Sequence, residues 1–133
     1  MRKNSSKRHF NVAAGIIWKG GKLLITKRPE GGHLSGFWEF PGGKQEGNES
    51  LTQCLEREIR EELGISIKPS RLLLTVNHEY GSKQVSLHFF ECSLLSGQPQ
   101  VLQCAEIRWV RPEELHLYHM PPPDQKIIPL LLS

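Results

Sequence analysis

The chain is poor in everything that marks a membrane-spanning or disulfide-stapled protein. No apolar run approaches the roughly 20 residues that a spanning helix needs. Cysteine occurs only as Cys54, Cys92 and Cys104, an odd number without metal-like spacing. That excludes a disulfide framework, and the expectation is free, mostly buried thiols in a reducing cytoplasm. Charge of one sign is also scarce: 17 Lys and Arg face 14 Asp and Glu, for a net charge of +3. A balance that mild helps attract a polyanion but does not imply a nucleic-acid surface, so no stable nucleic-acid complex is expected. Repeats and low-complexity segments are missing as well. What is present is ordinary: 133 residues, 38% hydrophobic and 23% charged. This suits one domain with a real core, either a monomer or a homodimer.

One stretch is not ordinary. From Gly43 to Ile65 the chain reads Gly-Lys-Gln-Glu-Gly-Asn-Glu-Ser-Leu-Thr-Gln-Cys-Leu-Glu-Arg-Glu-Ile-Arg-Glu-Glu-Leu-Gly-Ile. Leu51, Leu55, Ile59 and Leu63 recur every fourth residue, which predicts a helix from Glu49 to Leu63 with one apolar stripe. Asn48 or Ser50 suits its start, and Gly64 stands where a left-handed glycine ends a helix. Glu58, Glu61 and Glu62 fall at i, i+3 and i+4 and share one face. Like charges so spaced repel, and the negative end of the helix dipole adds to the cost. A helix built for stability alone carries lysine or arginine there. Such a helix is usually a solvated face held by ion pairs, and Arg57 and Arg60 suit that bland role. Upstream, however, Phe40-Pro41-Gly42-Gly43 brings bare backbone to the helix start. Local rules broken together beside such a turn indicate a functional site. Hard carboxylate oxygens without a histidine or thiolate pair select magnesium, with manganese as substitute, over zinc.

Every fixed position of the Nudix box is present in that stretch, and the chain resembles a Nudix hydrolase. The resemblance implies an α/β fold, an α/β/α sandwich around a mixed sheet. It also implies a divalent metal and water attack on a nucleoside diphosphate linkage. Carried over residue by residue, Glu58, Glu61, Glu62 and the Gly42 carbonyl are the metal ligands. Arg57 orients the carboxylates through an ion pair with Glu49. Many similar chains place a glutamate six residues before the tryptophan that matches Trp109. Here that position is Gln103, whose neutral amide cannot act as a base. Glu106 is the nearest carboxylate to replace it; otherwise Glu58 or Glu61 moves the proton.

The order of elements suits the same reading. Residues 1–8, with Arg2, Lys3, Lys7 and Arg8, form a basic tail, and 9–133 form a single domain. Such a tail could open a signal peptide, but Phe10 to Trp18 is short, β-prone and without a cleavage site, so it reads as a strand. Asn11–Lys19 and Lys22–Lys27 make a hairpin about Gly20-Gly21. Pro29–Ser35 is a loop and Gly36–Phe40 a short extended piece. Leu72–His78 and Gln84–Leu94 flank a turn at Gly81-Ser82, and Glu106–Val110 is a further strand. Pro112–Leu115 begins a short helix, and Asp124–Leu132 is a last helix after Pro121-Pro122-Pro123.

Outside the box the chain is similar to MutT-like enzymes, nucleoside triphosphate pyrophosphohydrolases that cleanse the nucleotide pool in support of DNA repair. The matching pieces are Leu24–Arg28, Trp38–Lys44, Trp109-Val110 with Pro112–Leu115, and Pro122-Pro123-Asp124. The resemblance implies that Arg28, Phe40 and Asp124 approach the base and that Lys44 joins the substrate site. A surface arginine, a core aromatic and a helix N-cap are the bland alternatives. An ionised Asp124 only accepts hydrogen bonds. Guanine offers two adjacent donors, so an oxidised guanine nucleotide such as 8-oxo-dGTP leads. A cytidine nucleotide, CTP or dCTP, follows, because MutT-like cytidine triphosphate hydrolases carry aspartate there. The coenzyme A branch fits worse, since Pro29 to Glu39 lacks its second arginine. No NADH pyrophosphatase signature follows the box. A contrasting expectation is a non-enzymatic nucleotide-sensing module, but such modules commonly lose box glutamates, and here all are kept.

Overall fold

The computed structural model describes residues 8–132. Its centre is β1 (Arg8–Lys19), whose alternate residues serve two cores. Ala13 and Ile17 join the core under the long helix, whereas Ala14 and Ile16 join the opposite core. This period of two is what lets one sheet carry two apolar layers.

The remaining strands are β2 (Lys22–Lys27), β3 (Trp38–Glu39), β4 (Gly42–Lys44), β5 (Ser66–Tyr80), β6 (Lys83–Ser96) and β7 (Glu106–Val110). They form a seven-stranded mixed sheet with the path β3-β2-β1-β6-β5, with β4 on β1 and β7 on β2. Strand β6 runs parallel to β1 along its length, from Arg8↔Lys83 to Trp18↔Ser93. The other edge of β1 is shared. Val12 to Ala14 pair with β4, and Trp18-Lys19 pair with β2. Because one strand has two partners on one edge, the sheet divides there, and the site occupies the division.

Helix α1 (Leu51–Leu63) covers one face, burying Cys54, Leu55, Ile59 and Leu63. Fully burying an aliphatic side chain contributes about 1.5–3 kcal/mol, so this stripe fastens the helix to the sheet. Ser50 caps it in a reciprocal box with Gln53: Gln53 N–H donates to Ser50 Oγ at 3.1 Å, and Ser50 N–H donates to Gln53 Oε1 at 2.8 Å. Gly64 ends it in the left-handed region at φ 69°. Glu49 therefore stands just outside the helix rather than at its first position. On the other face lie a 3-10 turn (Pro112–Leu117), α2 (Pro122–Gln125) and α3 (Ile128–Leu132).

Four elements differ from expectation. Arg8, assigned to the tail by its charge, opens β1, while Arg2, Lys3 and Lys7 lie outside the described residues. Strand β5 begins at Ser66 rather than Leu72, because it runs at the sheet edge and absorbs Pro69 at a register shift. The expected Asp124–Leu132 helix is two pieces. Pro129 has no N–H to give to the turn before it, so the helix cannot run through. Finally, Gly42–Lys44 pairs with β1 as a strand, although its glycines read as a turn. Among the described residues no helix is long and apolar enough to cross a membrane.

Candidate active site

A cleft of about 330 Å³ runs from Glu58 at one end to Asp124 at the other. Gly42, Gly43 and Lys44 of β4, Arg28 after β2, and Glu39-Phe40 line it between these ends. Gly42 is required by the backbone of its partner strand, and Gly43 by the place that the Glu58 side chain takes. A Cβ on Gly42 would lie 2.8 Å from Ala14 Cα in the partner strand. A Cβ on Gly43 would lie 2.6 Å from Glu58 Cγ, so the glycine makes the groove in which that glutamate rests.

Arg57 organises the helix side. Its Nε donates to Glu49 Oε2 at 2.9 Å and its Nη2 to Glu49 Oε1 at 2.7 Å, a two-pronged pair. Nη1 reaches Glu58 Oε2 at 3.0 Å and Glu61 Oε1 at 3.3 Å, and Nη2 also reaches the Lys44 carbonyl at 3.2 Å. One guanidinium thus joins the loop before the helix, the β4 backbone and two box carboxylates. These bonds and the Glu46 backbone N–H pull the Glu49 carboxyl down to about 2.

Glu62 is treated in the opposite way. Its Oε1 is buried and takes no hydrogen-bond partner, a costly arrangement for an anion. Burial, then the charges of Glu39 and Glu58, push its carboxyl up to about 8. Burial also raises Glu58, against the pull of Arg57. Glu61 remains half exposed at 49%. Among the described residues no three His, Cys, Asp or Glu side chains are already drawn together as a finished metal site. The donor chemistry nevertheless fits a hard divalent cation: Glu62 has an orphaned oxygen, Glu58 lies against Gly43, and the Gly42 backbone borders the same cleft.

At the far end Asp124 is only 5% exposed. It is inside α2, at its third residue, and so is not the N-cap; Pro121 holds that place. Phe40 N–H donates to Asp124 Oδ2 at 3.3 Å. Burial, followed by the charge of Glu39, pushes Asp124 up to about 8. Burial thus favours the protonated form of Asp124, whereas the hydrogen-bond argument from sequence took the ionised carboxylate. Phe40 itself is 2% exposed, and its ring stands edge-on to Phe89 at 6.0 Å. It contributes a wall and a backbone N–H. Arg28 donates from Nε to Glu39 Oε1 at 3.1 Å, and Lys44 Nζ lies 4.4 Å from the centre of the Phe10 ring.

Glu106 is not brought to the box carboxylates. Thr26 pairs with Ile107 and Lys27 with Glu106, so alternate residues of β7 face opposite sides of the sheet. Ile107 and Trp109 pack toward α1, whereas Val110 belongs to the other core. Glu106 shares the Val110 side, ion-paired with Arg108, whose guanidinium lies 5.6 Å over the Trp38 ring. The strand's period of two separates it from the helix. Sequence reasoning also passed over Tyr80, Lys83 and Glu39. Tyr80 and Lys83 end the β5–β6 hairpin at the cleft, and only strand pairing brings them there.

Residues 13–130 match the family described as the NUDIX domain. The chain belongs to this family. It is 45% identical to an 8-oxo-dGTP diphosphatase of Proteus vulgaris, over 63% of this chain and 76% of that protein. It is 38% identical to a CTP pyrophosphohydrolase of Escherichia coli K12, over 92% of this chain and 88% of that one. The crystal structure of a MutT protein from Methanosarcina mazei Go1 superposes with a TM-score of 0.85 at 26% identity, covering 94% of each chain. The mixed sheet with its helices is thus the MutT-like Nudix fold, and the chain is a hydrolase of phosphoanhydride bonds. Nudix hydrolases generally depend on a divalent metal.

Proposed function

We propose that the enzyme is a magnesium-dependent nucleoside triphosphate pyrophosphohydrolase that converts an oxidised guanine nucleotide such as 8-oxo-dGTP to its monophosphate and pyrophosphate. The observation that carries this reading is the pairing of an anion-rich, cation-seeking helix end with a buried hydrogen-bonding group at the other end of one cleft. Glu58, Glu61, Glu62 and the Gly42 carbonyl would hold magnesium, or manganese in its place. The bound ion would polarise the phosphoryl group and lower the pKa of an attacking water. Arg57 keeps Glu58 and Glu61 in place, and Lys44 and Lys83 offer positive charge to the phosphate chain. With Gln103 neutral and Glu106 on the other face, proton transfer falls to Glu58 or Glu61.

A second reading has its own support. A protonated Asp124 presents one donor and one acceptor. That pattern fits guanine through O6 and N1–H, and it fits cytosine equally well through N3 and the exocyclic amine. Relatives of both kinds exist, an 8-oxo-dGTP diphosphatase and a CTP pyrophosphohydrolase. The guanine reading leads on the number of relatives so described. A role in cytoplasmic nucleotide-pool sanitation goes with it.

The test is the initial rate of pyrophosphate release with magnesium for 8-oxo-dGTP, dGTP, CTP, dCTP and ADP-ribose. A strong preference for 8-oxo-dGTP is expected. Preference for a cytidine nucleotide would move the second reading forward, and silence on every nucleotide would refute the enzymatic proposal.

A further inference from the structure

Glu39 stands between the two ends of the cleft. It pairs across β2 with Thr26, so its side chain lies on the Thr26 side of the sheet, toward α1. Its charge is felt by Glu62 on that side and by Asp124 beyond it. The next residue turns to the other core: the Phe40 ring packs on Phe89 while the Phe40 N–H holds Asp124. One dipeptide therefore acts on both ends of the site, by charge on Glu62 and by a hydrogen bond on Asp124. The Glu39 carboxylate, one-fifth exposed, takes the Nε of Arg28. That bond occupies the inner nitrogen of the guanidinium fork. The outer nitrogens are not taken by Glu39; Arg28 lines the cleft, and its Nη1 is only loosely held by the His33 carbonyl at 3.5 Å.

We propose that Glu39 is a positioning residue of the nucleotide pocket, holding Arg28 so that its outer nitrogens meet acceptor atoms of a nucleotide beside Asp124. Three carboxylates, Glu39, Asp124 and Glu62, crowd this part of the protein, and Arg28 lowers the cost for each of them. A planar fork held by one side leaves a fixed pair of donors, which a lysine ammonium would not. Without Glu39, Arg28 would swing toward solvent, and the pocket would lose both its donors and their orientation. The inference rests on the nucleotide-hydrolase reading and specifies which groups around Asp124 do the orienting.

Steady-state kinetics on the best nucleotide of the panel test it, using wild type, Glu39→Ala, Glu39→Gln, Arg28→Ala and the Glu39→Ala/Arg28→Ala double variant. Glu39→Ala is expected to raise KM about tenfold and to leave kcat within about twofold. Glu39→Gln keeps an oxygen for Nε and should recover to within about threefold of wild type. In the Arg28→Ala background the Glu39→Ala change should add less than about twofold, because its partner is gone. An equal KM penalty in both backgrounds, or a loss in kcat instead of KM, would overturn the proposal. If Glu39→Ala does not melt cooperatively, the same cycle with the similarly sized Glu39→Met, which has no oxygen for Nε, decides, with a KM loss expected only when Arg28 is present. A wild-type protein that turns over no nucleotide would overturn both readings. Turnover with additive penalties would overturn this one alone.

Discussion

Glu49 and Glu62 are the same residue type at opposite ends of one helical segment, and the protein holds them in opposite states. Glu49 receives the two-pronged Arg57 contact and a backbone N–H, and its carboxyl is drawn down to about 2. Glu62 keeps a buried, unpartnered oxygen next to other carboxylates, and its carboxyl is driven up to about 8. The first end is finished by the protein alone. At the second end the Gly42 backbone N–H donates the one hydrogen bond that opposes burial, and the other carboxyl oxygen is the one that the proposed cation would take. An ion-pair network that stabilises a helix and a carboxylate set that binds a cation are indistinguishable as a string of charged letters. They separate once each oxygen's partner is counted.

The strongest way to break this contrast is at the unfinished end. Glu61→Gln should lower the rate of pyrophosphate release by about 10²–10³-fold, the usual cost of removing one preorganised charge-stabilising group. The fold should survive, and relief of like-charge repulsion should leave the melting temperature equal or slightly higher. A fully active variant with unchanged magnesium dependence would refute the site. Glu49→Gln addresses the finished end. It removes the charge of Arg57's best partner but no metal ligand, so the magnesium concentration for half-maximal rate should rise by about tenfold with a smaller loss at saturation. Equal damage from both variants would show that the ends are one unit.

Acid–base behaviour sharpens the comparison. Glu62 and Asp124 have folded values of about 8, above ordinary values of 4.5 and 3.8. The stability associated with them is present below about pH 4 and is lost as pH rises toward 8. Glu49 has the reverse sign: its contribution is present above about pH 4.5 and is lost as pH falls toward 2. The metal-free protein should therefore melt highest near pH 4–5, with Tm lower by about 5–10 °C at pH 8. Thermal melts in chelator across that range check this, and a Tm that rises from pH 5 to 8 would contradict it. The smallest effect expected is at the cap: Ser50→Ala should cost about 1 kcal/mol in chemical denaturation without altering the metal dependence.

The helix was the most legible element because three independent signals agreed in the sequence: the stripe ending at Leu63, a cap at Asn48 or Ser50, of which the structure uses Ser50, and the stop at Gly64. The hairpins about Gly20-Gly21 and Gly81-Ser82 were legible for the same reason, local turn chemistry. The roles around Asp124 were not. Its burial depends on Phe40 and α2 meeting across 84 residues, and a neutral acid hydrogen-bonds differently from the carboxylate a sequence suggests. Glu106 was misplaced because nearness in sequence to Gln103 says nothing about which face a strand residue takes. Glu39 escaped notice because a single glutamate in a short extended piece carries no periodic signal. Its meaning lies in Arg28, Asp124 and Glu62, which only the folded sheet brings near.

The central claim is that the last turns of α1 are built to be completed by a divalent cation. The most direct test is the melting temperature at pH 8 with and without magnesium, for wild type and Glu62→Gln. The account predicts that magnesium raises the wild-type Tm by about 3–6 °C. It also predicts that Glu62→Gln melts higher than wild type in chelator and gains little from magnesium. A wild-type protein indifferent to magnesium, or a variant stabilised as much as wild type, would contradict it.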